Sequence, residues 1–156
     1  MGSSFIKFRG RGFWTRDTNI QFLLKLAVKV LDAKFSGPEY RGLRELKETW
    51  STVANEEPTG ALDLRLDDLI TSDGIKGQVL NLIDSTLDQL SQRRAVVTKQ
   101  ELSDAFGEPF ERDVPVSGFH STGDALQALL RGESRPTEPQ IVDRKDPNWR
   151  GGNPPA

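Results

Sequence analysis

Residues 17–33, DTNIQFLLKLAVKVLDA, form the stretch that decides the fold. Ile20, Leu23, Leu24, Ala27 and Leu31 recur at the spacing of one face of an α-helix. Phe22, Leu26 and Val30 widen that face until only Gln21, Lys25, Lys29 and Asp32 remain as a polar stripe. A helix with so narrow a polar stripe is covered by protein on most sides. Residues 17–33 are therefore expected to be the central helix of a helical core. Asp17 or Thr18 is placed to cap it, since a side-chain oxygen there accepts first-turn N–H groups that lack intrahelical partners.

Working towards the C-terminus, a second helix is expected over 38–54, with Pro38 tolerated in its first turn. Leu43, Leu46, Trp50 and Val53 form its apolar stripe, and Tyr40 extends it. Pro58 and Gly60 mark a loop. Residues 61–70 carry two patterns: Leu62, Leu64 and Leu66 alternate like a strand, while Leu62, Leu66, Leu69 and Ile70 suit a helix. A short helix and an irregular connection both stay open there. Ser72 or Asp73 caps a long helix over 73–92, striped by Ile75, Val79, Leu80, Ile83, Leu87 and Leu90. Gly74 and Gly77 weaken its first turns by up to about 1 kcal/mol each relative to alanine. Thr98 and Glu101 match a capping box that opens a helix over 98–106. A loop with Pro109 and Pro115 leads to a last helix over 121–131, with Ala125, Leu126, Leu129 and Leu130 inward.

Towards the N-terminus, Phe5–Phe8 reads as a short strand or extended arm, and residues 9–12 as a flexible corner because they hold two glycines. Phe13 and Trp14 are expected to pack as a staple before the first helix. From Gly132 onward the chain holds five prolines and little to bury. That tail is expected to be extended, either docking through Ile141, Val142 and Trp149 or held by a partner. The expected organisation is a mainly α, single-domain bundle of about five helices: an extended arm over 1–16, a helical domain over 17–131, and a tail over 132–156. Any short N-terminal strand has another extended piece to pair with, the tail being one candidate.

The length of 156 residues suits one domain with its own core. The absence of cysteine removes disulfides, thiolate nucleophiles and cysteine-ligated zinc, and a single histidine leaves a zinc site short of ligands. The start of the chain lacks the apolar core of a signal peptide, and Lys25 and Lys29 interrupt the longest apolar run, so a cytoplasmic protein with no membrane span is expected. His120 beside Ser117, Ser121, Asp113 and Asp124 is not framed by a nucleophile-elbow motif. The aspartates from Asp63 to Asp73 fit no register of a calcium loop, and no phosphate-binding motif accompanies them. No catalytic residue, metal or cofactor is expected, and the chain reads as a binding protein rather than an enzyme.

A net charge of −2 argues against sequence-independent nucleic-acid binding. The charge is unevenly placed, however. Residues 1–16 hold Lys7, Arg9, Arg11 and Arg16 and no acid, whereas residues 39–73 hold nine acids against four bases. Such asymmetry bears on partners rather than on fold. Two other functions stay open: an enzyme with a carboxylate and arginine site of unfamiliar pattern, and a nucleic-acid-linked regulator using the Arg9-Gly-Arg-Gly-Phe-Trp segment, where guanidinium and ring faces stack on bases.

Three segments carry a resemblance of type: FIKFRGRGFWTRD at 5–17, DLITSDGIKGQVLNLIDSTLDQL at 68–90 and VPVSGFHSTGDALQALLRGE at 114–133. Together they resemble small helical bacterial proteins akin to the immunity proteins of interbacterial toxin systems. The resemblance implies a protein that binds a cognate toxin directly and neutralises it, with no cofactor. A toxin with a basic cleft would meet an acidic surface that speeds encounter. The expected contact residues are Glu56, Glu57, Asp63, Asp67, Asp68 and Asp73, with Trp50 as an exposed aromatic anchor beside them.

Overall fold

Residues 3–8 and 11–16 alternate inward and outward side chains, the period of a strand. In the computed structural model, which describes residues 2–55, 60–92 and 94–143, they are the antiparallel strands β1 (Ser3–Phe8) and β2 (Arg11–Arg16). The turn between them is Arg9-Gly10, both with positive φ (50° and 77°), the backbone twist that a tight two-residue hairpin requires. The expected flexible corner thus shrinks to two residues, and Arg11 and Gly12 join the second strand. Ser4, Ile6 and Phe8 of β1 and Phe13 and Thr15 of β2 face inward and are buried. The Thr15 hydroxyl lies 3.0 Å from that of Thr122, which ties the sheet to the last helix. The expected staple is therefore split: Phe13 enters the core and Trp14 points away from it.

Helix α1 (Asp17–Lys34) is the central helix, with Ile20, Leu23, Leu24, Ala27 and Leu31 all buried. Its polar stripe is narrower than expected, because Gln21 is buried and its Nε2 donates to the Val53 carbonyl at 3.2 Å. No side-chain cap closes its first turn. The Asp17 carboxylate instead accepts from the Ser4 hydroxyl and from the Gly60 N–H, and Ser4 Oγ in turn accepts from the Leu62 N–H. One buried side chain thereby fastens the hairpin, the central helix and the loop after α2 to each other.

The single helix expected over 38–54 is two pieces. A tight 3₁₀ turn, Pro38–Leu43, departs from helical angles at Tyr40, whose ring packs edge-on against Phe35 at 4.9 Å. Helix α2 (Arg44–Asn55) follows and packs on α1. Residues 61–70 realise both of their patterns in turn. Leu62 and Leu64 are buried in extended chain, Asp63 Oδ1 accepts from the Arg65 N–H, and a single helical turn α3 (Leu66–Leu69) buries Leu66 and Leu69.

Helix α4 (Asp73–Ser91) is capped by Ser72, whose hydroxyl accepts from the Ile75 N–H at 3.2 Å. Strand β3 (Val96–Val97) precedes helix α5 (Lys99–Phe106). Thr98 caps α5 through the Glu101 N–H, but the Glu101 side chain pairs with Arg94, so only half of the expected capping box forms. Strand β4 (Val114–Pro115) pairs with β3 and leads straight into helix α6 (Val116–Arg131). That helix starts five residues before the expected 121, because Val116 and Phe119 are core residues and the Phe119 ring meets Phe22 at 4.9 Å.

Gly123 lies where α6 meets α4. A Cβ there would stand 2.4 Å from Leu87 Cδ2 and 3.1 Å from its Cγ, the branch point, which a rotamer change alone does not clear. Alanine improves helix propensity by about 1 kcal/mol, whereas overpacking costs about 1–3 kcal/mol. Gly123→Ala is expected to be net destabilising, read as a lower urea midpoint; an unchanged or higher midpoint would show that α4 and α6 part easily.

The chain then returns to the hairpin. Strand β5 (Val142–Asp143) pairs antiparallel with Gly12 and Arg11 of β2, giving the sheet order β1-β2-β5. Ile141 packs partly buried against the core. The tail expected to pair or dock does so at these residues; residues 144–156, including Trp149, lie outside the described ones. The result is a mainly α bundle with the three-stranded sheet laid across α1 and α6 and the short β3-β4 pair apart from it. No helix among the described residues is long and apolar enough to cross a membrane.

Candidate partner-binding surface

The outer face of the sheet follows from the register. Phe5 stands opposite Trp14, and Lys7 opposite Gly12. Trp14 is 43% exposed and meets Phe5 edge-on, with ring centroids 5.3 Å apart. A Cβ on Gly12 would fall 2.4 Å from the Ile6 carbonyl oxygen and 2.5 Å from the Phe5 ring, so a side chain there would have to displace both. Arg16 ends the face on one side.

On the other side runs the segment carrying three of the expected acids. Asp63, Asp67 and Asp68 are exposed and share a shallow depression with Lys7 and Arg65. Asp67 Oδ1 accepts the backbone N–H of Arg9 at 2.9 Å, which holds the hairpin turn against α3. Asp68 pairs with Arg65 at 3.4 Å. The three carboxylates thus face two cations of the same chain, and their excess charge is smaller than the sequence count suggests. Asp73 opens α4, with its side chain 92% exposed and 3.7 Å from Lys76. Glu56 and Glu57 lie outside the described residues.

Trp50 is a correction. It is 1% exposed, enclosed by α1, α4 and α6, and so presents no anchor to a partner. The reason is its place in the apolar stripe of α2 with Leu46 and Val53, which turns it onto α1. Among the described residues the large exposed aromatic is Trp14. The signal that could have found it is the alternation along β2, where Phe13 and Thr15 go in and Trp14 goes out.

No known family, curated protein or solved structure matches this chain. His120 Nδ1 lies 3.0 Å from Asp124 Oδ2 one turn along α6, while Asp113 accepts the Lys99 N–H at the start of α5. Arg9 lies over the Phe8 ring, and Arg11 donates to the Glu133 carbonyl. The groups that a carboxylate and arginine site would need are each engaged by different local partners. Among the described residues, no cluster of three or more His, Asp or Glu side chains has metal-binding spacing.

Proposed function

We propose that this chain is a binding protein, without catalytic activity, that holds a partner protein against the outer face of its N-terminal sheet. The observation that carries the reading is the solvent-exposed Trp14, braced by Phe5 on a sheet whose other face is core. Buried aromatic side chains dominate binding energy at protein interfaces, and a rigid scaffold lowers the entropy lost on docking. The partner chemistry that fits is an apolar pocket for the Trp14 indole, rimmed by basic side chains that meet Asp63, Asp67 and Asp68. The resemblance of type to immunity proteins gives the role a specific form: cytoplasmic neutralisation of a cognate bacterial toxin by direct contact.

The test is co-purification of the tagged chain with the product of the neighbouring open reading frame, alongside a toxicity assay of that product. One stoichiometric partner, toxic when expressed alone and silent when bound, is the expected result. Trp14→Ala should weaken that complex by at least about thirtyfold, corresponding to a hot-spot loss of about 2 kcal/mol, while the free chain stays folded and loses only about 0.5–1.5 kcal/mol with the Phe5 contact. A folded bait that captures no partner, or a complex indifferent to Trp14→Ala, would overturn the assignment.

A further inference from the structure

The polar stripe of α1 opens onto a groove that shares no residue with the sheet face. Lys25 and Lys29, one helical turn apart, line it on one side, Asn55 closes it at the end of α2, and Glu101 and Asp104 face them from α5. The floor is apolar, formed by Phe22, Leu26 and Ala105. Its volume is about 540 Å³, within the range of roughly 300–1,000 Å³ common for small-molecule sites.

Arg94 beside Glu101 tips the balance of charge around the groove to positive, with Lys25, Lys29 and Arg94 against Glu101 and Asp104. Glu101 is bonded by the Arg94 guanidinium, and Asp104 Oδ1 accepts from Gln100 Nε2 at 2.9 Å. Lys25 Nζ donates to the neutral Asn55 Oδ1 and lies 5.2 Å from the centre of the Phe106 ring. Among the described residues, no carboxylate pairs with Lys25 or Lys29. Burial, and after it the neighbouring Lys29 charge, hold the Lys25 amine below the ordinary lysine value of 10.5. Both effects penalise the charged amine, and an anion placed between the two lysines relieves the second.

We propose that this groove binds a small amphipathic carboxylate, with its carboxyl group between Lys25 and Lys29 and its apolar body on Phe22, Leu26 and Ala105. A monoanion fits better than a phosphate. The C-terminal end of α2 contributes partial negative charge at Asn55, and Asp104, whose partner Gln100 is neutral, repels a second ligand charge. The site is independent of the partner surface and stands whether or not Trp14 anchors a protein.

The experiment is an NMR titration of the full chain with 3-phenylpropionate, with its neutral amide, 3-phenylpropanamide, and with inorganic phosphate. Saturable shifts confined to the groove at millimolar or lower 3-phenylpropionate, with the Lys25 amine titrating at higher pH in the complex, are expected. The amide and phosphate should bind at least about tenfold more weakly, and so should 3-phenylpropionate to Lys29→Gln, each a loss of about 1.4 kcal/mol. Lys29 is exposed, so that variant should keep the wild-type unfolding midpoint. Absence of saturable shifts, equal binding of the amide or of phosphate, or unchanged affinity in folded Lys29→Gln would each overturn the proposal.

Discussion

Trp50→Ala is expected to lower the free energy of unfolding by about 3–5 kcal/mol, the usual cost of emptying a large aromatic position in a packed core. Trp50 fills the seam where Leu23, Leu24 and Ala27 of α1 meet Ile83 and Leu87 of α4 and Leu126 of α6. Domains of this size have a total stability of about 5–15 kcal/mol, so the variant should lose a large share of its fold at moderate urea. Its indole Nε1 has no hydrogen-bond partner among the described residues, so packing and not polar bonding accounts for the loss. Trp50→Phe should accordingly recover most of the stability. Equilibrium urea unfolding followed by far-UV circular dichroism reads both. A loss below about 1 kcal/mol for alanine would mean that the helices close over the site, and would contradict the packing described.

Asp17→Ala should also be clearly destabilising, for a different reason. It leaves the buried Ser4 hydroxyl with no acceptor, and frees the Gly60 N–H, at an exposed residue, to water. The abandoned buried donor of Ser4 costs about 1–3 kcal/mol. The carboxylate also sits in the first turn of α1, where the aligned peptide dipoles favour negative charge by about 0.3–1 kcal/mol. A total of about 1–4 kcal/mol is expected by these magnitudes. Hydrogen exchange adds a local signature: the Gly60 and Leu62 amides should lose protection more than those of α4. If stability falls by less than about 1 kcal/mol, the loop is held by Leu62 and Leu64 alone, and the carboxylate is not the fastening.

The helices were legible in the sequence wherever one face repeats without interruption. Residues 17–33 and the stripe from Ile75 to Leu90 set α1 and α4 to within a residue or two of their ends. The Thr98 cap likewise placed α5. Legibility failed where tertiary contacts override local preference. The start of α6 carries Pro115 and Gly118 and reads as loop, yet Val116 and Phe119 have core to bury and draw the helix back to them. Strand β2 was hidden because its turn places Arg9, not a usual turn residue, in the left-handed region. That strain is met by the bond from the Arg9 N–H to Asp67, a residue far along the chain. The candidate surface shows the same limit. Asp63, Asp67 and Asp68 were visible as exposed acids, but their neighbour Lys7 belongs to a segment that sequence distance separates from them. Trp50 was visible as a core residue in its helical stripe, and assigning it to the surface went against that pattern.

The strand formed by Val142 and Asp143 joins residues at opposite ends of the described chain. Contacts between residues close in sequence form quickly, while closing a loop that spans almost a whole domain is slow and entropically costly. The hairpin and the pair α1 and α2 can therefore assemble while the third strand is still being synthesised. Only when residue 143 has left the ribosome can the edge of β2 at Arg11 and Gly12 be covered. During that interval the newborn protein displays a bare strand edge, and a chaperone or a second nascent chain has the opportunity to pair with it.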